Sequence, residues 1–342
     1  MSLPLKKRLQ AIDYITELIG RGEPHISAKV SETFGLSRTT TSNYLRKLLN
    51  DGTIEKSPDG KGYRLKEKDF WIHQSLKGPF PSEDTLIQQF LPHIEGFPDQ
   101  ARRNFMHIFL EMMNNALEHS GASRVTSHLR VTPIEFRCTI IDDGIGIFER
   151  IRQFFRKELN EEISLDDARI QLVSGGFTSD RARHGGEGIY NSSLIADSFA
   201  IFSSNKVFAR DYEKVDPVSW DLQIPHRGTM VYFSVHRDTQ KTLKEAEHAN
   251  PDDGFYRVTL PLRLMTLTGT ALIARSQARR FAFNFAEKKE VVLDFEGITE
   301  LGQPFAHEIF KVYRKNHPEV RLITRNTTPE MDRLIQRLMN EG

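Results

Sequence analysis

Glu111, Asn115 and His119 stand four residues apart in "FLEMMNNALEHSGAS" (residues 109–123), inside an otherwise apolar run. Four residues is a little over one helical turn, so a helix here lines the three side chains along one face. A helix that only fills a core has no need of a carboxylate, an amide and an imidazole in one stripe. Three later segments carry related chemistry. Asp142-Asp143-Gly144-Ile145-Gly146 ends a strand-like run with an acid and two glycines, where backbone can come close to a ligand. "RHGGEGIYNSSLIAD" places Gly185, Gly186 and Gly188 at the start of a helical pattern, and free N–H groups at such a start cradle phosphate. "HRGTMVYFSV" leads a strand with Gly228-Thr229.

The elements that must position these groups are legible around them. "DQARRNFMHIFLEMMNNALEHSGAS" reads as one long helix ending near Gly121, followed by the strands "RVTSHLRV" and "IEFRCTIIDDGIGI". About 40 residues separate the Asp-Gly segment from the glycine-rich one, too many for a simple connection. That stretch reads as a lid with its own helix, "SLDDARIQLV", capped by Ser164 and Asp167. In the following "SGGFTSDRARH", Arg181 and Arg183 either meet a terminal phosphate or are solvated charges.

At 342 residues, with 38% hydrophobic and 27% charged residues, the chain fits two or three globular domains. No stretch is apolar enough for a membrane span, and "MSLPLKKRLQ" lacks the apolar core of a signal peptide. The only cysteine, Cys138, excludes an intramolecular disulfide, and the expectation is a cytoplasmic protein. Net charge is +1, but residues 1–66 hold 12 Lys and Arg against 7 acids, a surplus of five positive charges. The remainder is mildly acidic, so an anionic partner is expected for the head alone.

Within that head, apolar residues recur at helical spacing from Leu5 to Ile19. A second helix is expected at about 26–34, a turn at Gly35-Leu36, and a third helix capped by Ser37. "GTIEKSPDGKGYRL" alternates around Asp59-Gly60 as a two-stranded hairpin. Three helices and a hairpin resemble a winged helix-turn-helix. Its third helix carries Arg38, Thr39, Thr41, Ser42, Asn43, Arg46 and Lys47, groups able to reach base edges and phosphates, while Lys56 and Lys61 sit on the wing. DNA is the expected partner; a protein-docking winged helix with a solvated face is the alternative.

In order, Glu-x-x-x-Asn on a helix, Asp-x-Gly-x-Gly after a strand, Gly-Gly-x-Gly before a helix and Gly-Thr before a strand resemble the GHKL ATPases. That family comprises gyrase, Hsp90, the MutL proteins and the histidine kinases, and the resemblance covers about residues 84–238. It implies a Bergerat-fold α/β sandwich that binds ATP with Mg²⁺. By resemblance Asn115 holds Mg²⁺ against the triphosphate, and Glu111 is the base that orients or deprotonates water. Asp142 accepts the adenine amino group, Gly144 and Gly146 admit the base, and Gly185, Gly186 and Gly188 wrap the phosphates. Thr229 closes the adenine pocket, while His119 either approaches a phosphate or is a plain residue at a helix end. The sequence departs from the family twice. It has no histidine-kinase phosphoacceptor segment before the ATP domain and no gyrase-type transducer with a catalytic lysine after it.

Residues 254–342 alternate helices at about 269–286 and 303–315 with the strands "EVVLDF" and "VRLITRN", then a last helix "PEMDRLIQRLM". This resembles the small STAS-like domains of the anti-sigma-factor-antagonist type. Gln303 and Pro304 stand at about the place of the antagonists' phosphorylated serine, so a docking or regulatory role toward a protein is expected.

The expected organisation is therefore a multidomain α/β protein: winged helix at 1–66, linker at 67–83, ATP domain at 84–238 and STAS-like domain at 254–342. The expected function is an ATP-responsive, DNA-binding transcriptional regulator, with Mg-ATP switching conformation or oligomeric form and the tail relaying the signal. The alternative is a serine/threonine protein kinase of the anti-sigma type. Whether ATP is hydrolysed and whether the chain forms a homodimer stay open at this point.

Overall fold

A computed structural model of the protein describes residues 5–173, 188–210, 217–221, 227–244, 257–262, 272–282, 285 and 289–340. At the N-terminus, α1 (Leu5–Gly20) buries Ala11, Ile15, Leu18 and Ile19 along one face, as its apolar spacing requires. It packs on α2 (Ile26–Phe34), and α2 packs on α3 (Arg38–Asn50). Ser37 starts α3 by accepting a hydrogen bond from the Thr40 N–H at 3.2 Å. The strands β1 (Ile54–Lys56) and β2 (Tyr63–Leu65) pair antiparallel, with Gly60 in the left-handed region at the turn (φ 69°). Val30, Leu45, Leu48, Ile54 and Leu65 close a small core of this unit's own.

Only Lys66 and Glu67 separate β2 from β3 (Lys68–Ser75), which is an edge strand of the central sheet. The stretch 67–83 is thus a linker only in its second half. The Gly78-Pro79 and Pro81 signals are real, but they lie beyond the strand. β3 was hidden because a single residue, Ile72, is buried in it, and the rest reads as polar and aromatic surface. Short helices α4 (Glu83–Ile87) and α5 (Leu91–Ile94) lead into α6 (Asp99–Asn114), which continues as a π-helical turn over Asn115–His119.

After the turn come β4 (Arg124–Val131), β5 (Glu135–Asp142), α7 (Ile147–Leu159) and α8 (Leu165–Val173). Next are α9 (Gly188–Ile195), β6 (Ser198–Ser203), β7 (Lys206–Arg210), β8 (Pro217–Asp221) and β9 (Thr229–His236). The expected capping box holds at α8, where Ser164 and Asp167 exchange backbone-to-side-chain bonds at 3.0 and 3.1 Å. The seven strands run in the order β3-β4-β5-β9-β6-β7-β8, every neighbouring pair antiparallel. One sheet face meets the helices through a phenylalanine-rich core that includes Phe90, Phe105, Phe109, Phe136, Phe148, Phe155, Phe199 and Phe233.

The C-terminal unit is a second α/β layer around a parallel sheet of β10 (Arg257–Pro261), β11 (Glu290–Asp294) and β12 (Arg321–Arg325). Its described helices include α10 (Arg275–Ala282), α11 (Gln303–His307) and α12 (Pro329–Asn340), α11 running on into a π-helical turn at Glu308–Tyr313 and a last α-helical turn at Arg314–Asn316. α10 starts later than the expected 269, because Leu272 forms a strand-like bridge with Leu301. No helix among the described residues is long and apolar enough to cross a membrane.

The N-terminal unit sits at the far end of the central sheet. Ile134, in the β4–β5 turn, packs into the N-terminal core, and its Cδ1 lies 2.5 Å from where a Cβ on Gly20 would stand. Glu17 of α1 faces His236 at the end of β9, with Oε1 4.0 Å from Nε2. Replacing Ile134 by Ala should cost about 2 kcal/mol, the low end for such a truncation because the side chain is only half-buried. Ile134→Asp should undock α1 and leave the sheet folded. Amide exchange should then accelerate over residues 15–20 and stay slow in β5 and β9; equal acceleration in all three would show that Ile134 supports the sheet instead.

Candidate functional site

The end of β5 turns sharply against the end of α6. Ser120 accepts a hydrogen bond at its carbonyl from the Ile145 N–H at 3.0 Å, and its Oγ donates to the Ala116 carbonyl at 2.6 Å. A Cβ on Gly144 would stand 2.2 Å from the Ser120 carbonyl oxygen, so no other residue fits there without moving the backbone. On the neighbouring strand, Gly228 has φ 80° and approaches the Asp142 carbonyl so closely that a Cβ would be 2.0 Å from it. These two contacts bring α6, the Asp142–Gly146 loop and the start of β9 to one place. Gly146 follows in the same loop and is the N-cap residue of α7.

Asp142 and Thr229 are register partners at this end of β5 and β9, and both are buried, 5% and 8% exposed. Asp142 Oδ1 accepts the Gly144 N–H at 2.8 Å, and Thr229 Oγ1 accepts the Ile147 N–H at 3.0 Å. Burial pushes the Asp142 carboxyl above its ordinary value, against the lowering effect of hydrogen bonds from Gly144 and Thr229. Its neighbour Asp143 has the opposite character. Partial burial works against it, but bonds from Ser123 and Arg124 hold its carboxyl below the ordinary value and latch the start of β4.

The helical stripe is partly corrected. Glu111 lies in α6 proper, and its Oε2 sits 2.0 Å from where a Cβ on Gly188 would be, which places the carboxylate at the N-terminal end of α9. Asn115 stays in α-helical register with Glu111, its N–H donating to the Glu111 carbonyl, whereas His119 ends the π-helical turn and is displaced from that stripe. A wider turn rotates later side chains relative to the α-helical wheel, and such turns concentrate at functional sites. All three side chains are half-buried. Gly185 and Gly186, like Arg181 and Arg183, lie outside the described residues.

Three participants carried no signal in the sequence. Ser203 is fully buried and donates to the Gly228 carbonyl at 2.7 Å, pinning the Gly-Thr turn from the β6 side. Ser120 joins α6 to the loop, as described. Arg210 on β7 lies against Tyr190 in the first turn of α9. The Gly228-Thr229 pair was the legible part of this network; the serines could not be told from ordinary strand and helix-end residues.

On α3, Arg38, Thr39, Ser42, Asn43, Arg46 and Lys47 are exposed, as expected of an open face. Thr41 is not. It is fully buried, its Oγ1 donating to the Ser37 carbonyl at 3.3 Å, because it falls on the helix side that packs on the N-terminal core. On the hairpin, Lys56 lies 4.3 Å above the Tyr63 ring, and both Lys56 and Lys61 are exposed.

A buried acid beside a hydroxyl and a backbone held open by glycine thus stand at one end of the sheet, with a carboxylate and a carboxamide on the neighbouring helix. Residues 100–238 match the family described as histidine kinase-, DNA gyrase B-, and HSP90-like ATPase. The chain thus carries a GHKL-type ATPase domain, which implies nucleotide binding. Residues 277–332 match a STAS-like domain of unknown function, so the C-terminal unit is STAS-like. No curated protein matches the chain.

The raised carboxyl of Asp142 has a consequence for stability. The folded state holds that proton more tightly than the unfolded chain, so ionisation at neutral pH costs stability, and the cost fades as pH falls toward the ordinary value of 3.8. Asp142→Asn, which keeps an acceptor for the Gly144 N–H, should therefore melt higher than the parent at pH 7 without ligand. The gap should close on acidification in thermal scans, and a variant that melts lower at pH 7 would contradict the desolvation cost.

Proposed function

We propose that the protein is an ATP-responsive, DNA-binding regulator, in which nucleotide occupancy at one end of the central sheet alters the N-terminal unit at the other. The observation that carries the reading is the β5–β9 ladder. It runs unbroken from Asp142–Thr229 at the pocket to Glu135–His236, where the N-terminal unit docks. Any ligand that closes the pocket bears on both strands, and a two-state shift biased there reaches the docked unit.

In this reading Asp142 accepts the adenine amino group and Thr229 closes the pocket beside it. Gly144 and Gly146 would admit the base, and the glycine segment that ends at Gly188 would wrap the phosphates. The carboxamide of Asn115 suits Mg²⁺, a hard ion that takes oxygen ligands, and Glu111 is placed to hold or deprotonate water at the start of α9. His119 closes the π-helical turn near the same end of the helix. The bound nucleotide would supply a triphosphate whose charge the lid and α9 read. The N-terminal unit acts as a winged helix, with Arg38, Thr39, Ser42, Asn43, Arg46 and Lys47 facing the major groove and Lys56 and Lys61 on the backbone. The STAS-like unit relays or receives the signal, which its packing of α10 against lid helix α8 supports.

Calorimetry on Asp142→Asn should show ATP affinity falling at least tenfold, because the adenine amino group loses a charged acceptor. Unchanged affinity in a folded variant would remove the adenine assignment. Glu111→Ala should keep Mg-ATP binding and lose any hydrolysis, whereas Asn115→Ala should weaken the Mg²⁺-dependent part of binding.

For the N-terminal unit, Arg46→Ala with Lys47→Ala should weaken binding to all DNA sequences alike. The slope of log affinity against log salt should flatten by up to about two units, one per lost phosphate contact. Asn43 and Arg38, nearer the start of α3, should instead change which sequence is preferred. A protein that ignores DNA at low salt would make the N-terminal unit a protein-docking module.

A further inference from the structure

Arg210 occupies a costly position. Its side chain leaves β7 on the same sheet face as the buried Phe208, and its Nε is enclosed without a hydrogen-bond partner. Burial pulls its guanidinium below the ordinary value, a cost opposed by one neighbour, the Tyr190 phenol beside it. The guanidinium carbon lies 5.7 Å from the centre of the Tyr190 ring. Among the described residues no carboxylate pairs with Arg210. An enclosed cation without a counter-charge is destabilising, and it points to an anion that arrives later.

The location says which anion. Tyr190 stands two residues after Gly188, so Arg210 lies beside the first described turn of α9. The Glu111 carboxylate reaches that same helix end from α6. A guanidinium from the sheet and a carboxylate from the facing helix therefore flank one helical turn. This is the arrangement that separates work on phosphoryl oxygens from work on water.

We propose that Arg210 is a phosphate-contacting residue that reads the terminal phosphate of the nucleotide and so makes the site discriminate ATP from ADP. The proposal rests on the nucleotide reading given above and adds a residue to it. Arg210 donates to the terminal phosphoryl oxygens, its charge is compensated only in the triphosphate-bound state, and Tyr190 holds the guanidinium in place until then. Such a residue converts the identity of the nucleotide into the position of α9 and of the lid helix α8 packed near it.

The test compares Arg210→Gln and Arg210→Lys with the parent in the full chain, with ATP, ADP and inorganic tripolyphosphate as probes. Arg210→Gln should weaken ATP by about tenfold or more while ADP changes less than twofold, the scale expected for one charge-assisted bond to a phosphate. Arg210→Lys should recover part of the loss. Tripolyphosphate should raise the melting temperature of the parent and not that of Arg210→Gln, and this arm needs no adenine contact. Equal weakening of ATP and ADP would overturn the proposal and leave Arg210 as a support for Tyr190. If tripolyphosphate protects through Arg210 but ATP does not bind, the adenine reading fails and the anion site stands.

Discussion

The pairing of β5 with β9 is the constraint on which the rest of the molecule depends. Asp142 opposite Thr229 and Glu135 opposite His236 fix one register over the full length of both strands. A slip of one residue would turn Asp142 from the pocket to the opposite face and send Cys138 and Ile140 out of the core. The glycines at both strand ends make the register exact in depth as well. Gly144 lets the loop close on Ser120, and Gly228 lets β9 close on the Asp142 carbonyl. Pocket geometry is thus a property of strand pairing, with the loop chemistry laid over it.

The same ladder explains the division of labour among the layers. The helix-facing side carries the phenylalanine core and the ionisable groups of the pocket, while the β4–β5 turn offers Ile134 to the N-terminal unit. Extending the sheet through β6 and β7 brings two buried or nearly buried cations, Lys206 and Arg210, under the helices that follow the glycine segments. Lys206 meets Asp166 of α8 at 3.0 Å, so the lid helix is tied to the sheet by charge as well as by Ala168 and Leu172, which it buries in the core.

Much of this was readable from residue order. Helical and alternating periodicities located α1 to α3, the wing hairpin, α6, β4, β5, β11 and β12, because each buries one regular face, while β10 was not anticipated. Motif spacing singled out Glu111, Asn115, Asp142, Gly188 and Thr229, since these types depart from what their periodic surroundings require, and the fold sets Asp142 opposite Thr229 and Glu111 against Gly188. What escaped did so for physical reasons. β3 buries one side chain and so has no periodic signature. The π-helical turn at Asn115–His119 follows from how the helix end meets the Asp142 loop, which local propensity does not encode. Thr41 looks polar in composition and is buried by helix phase, its hydroxyl satisfied within its own turn. Arg210 is informative only once its burial and its single phenol neighbour are known.

The two residues between β2 and β3 carry a consequence for how the N-terminal unit behaves when it leaves its seat. A tether of that length reaches about 7 Å at most, so an undocked unit stays at a very high local concentration beside the sheet. Docking through Ile134 therefore needs little intrinsic affinity to dominate. The joint is a short tether rather than a flexible arm, and it keeps the N-terminal unit beside the sheet's end.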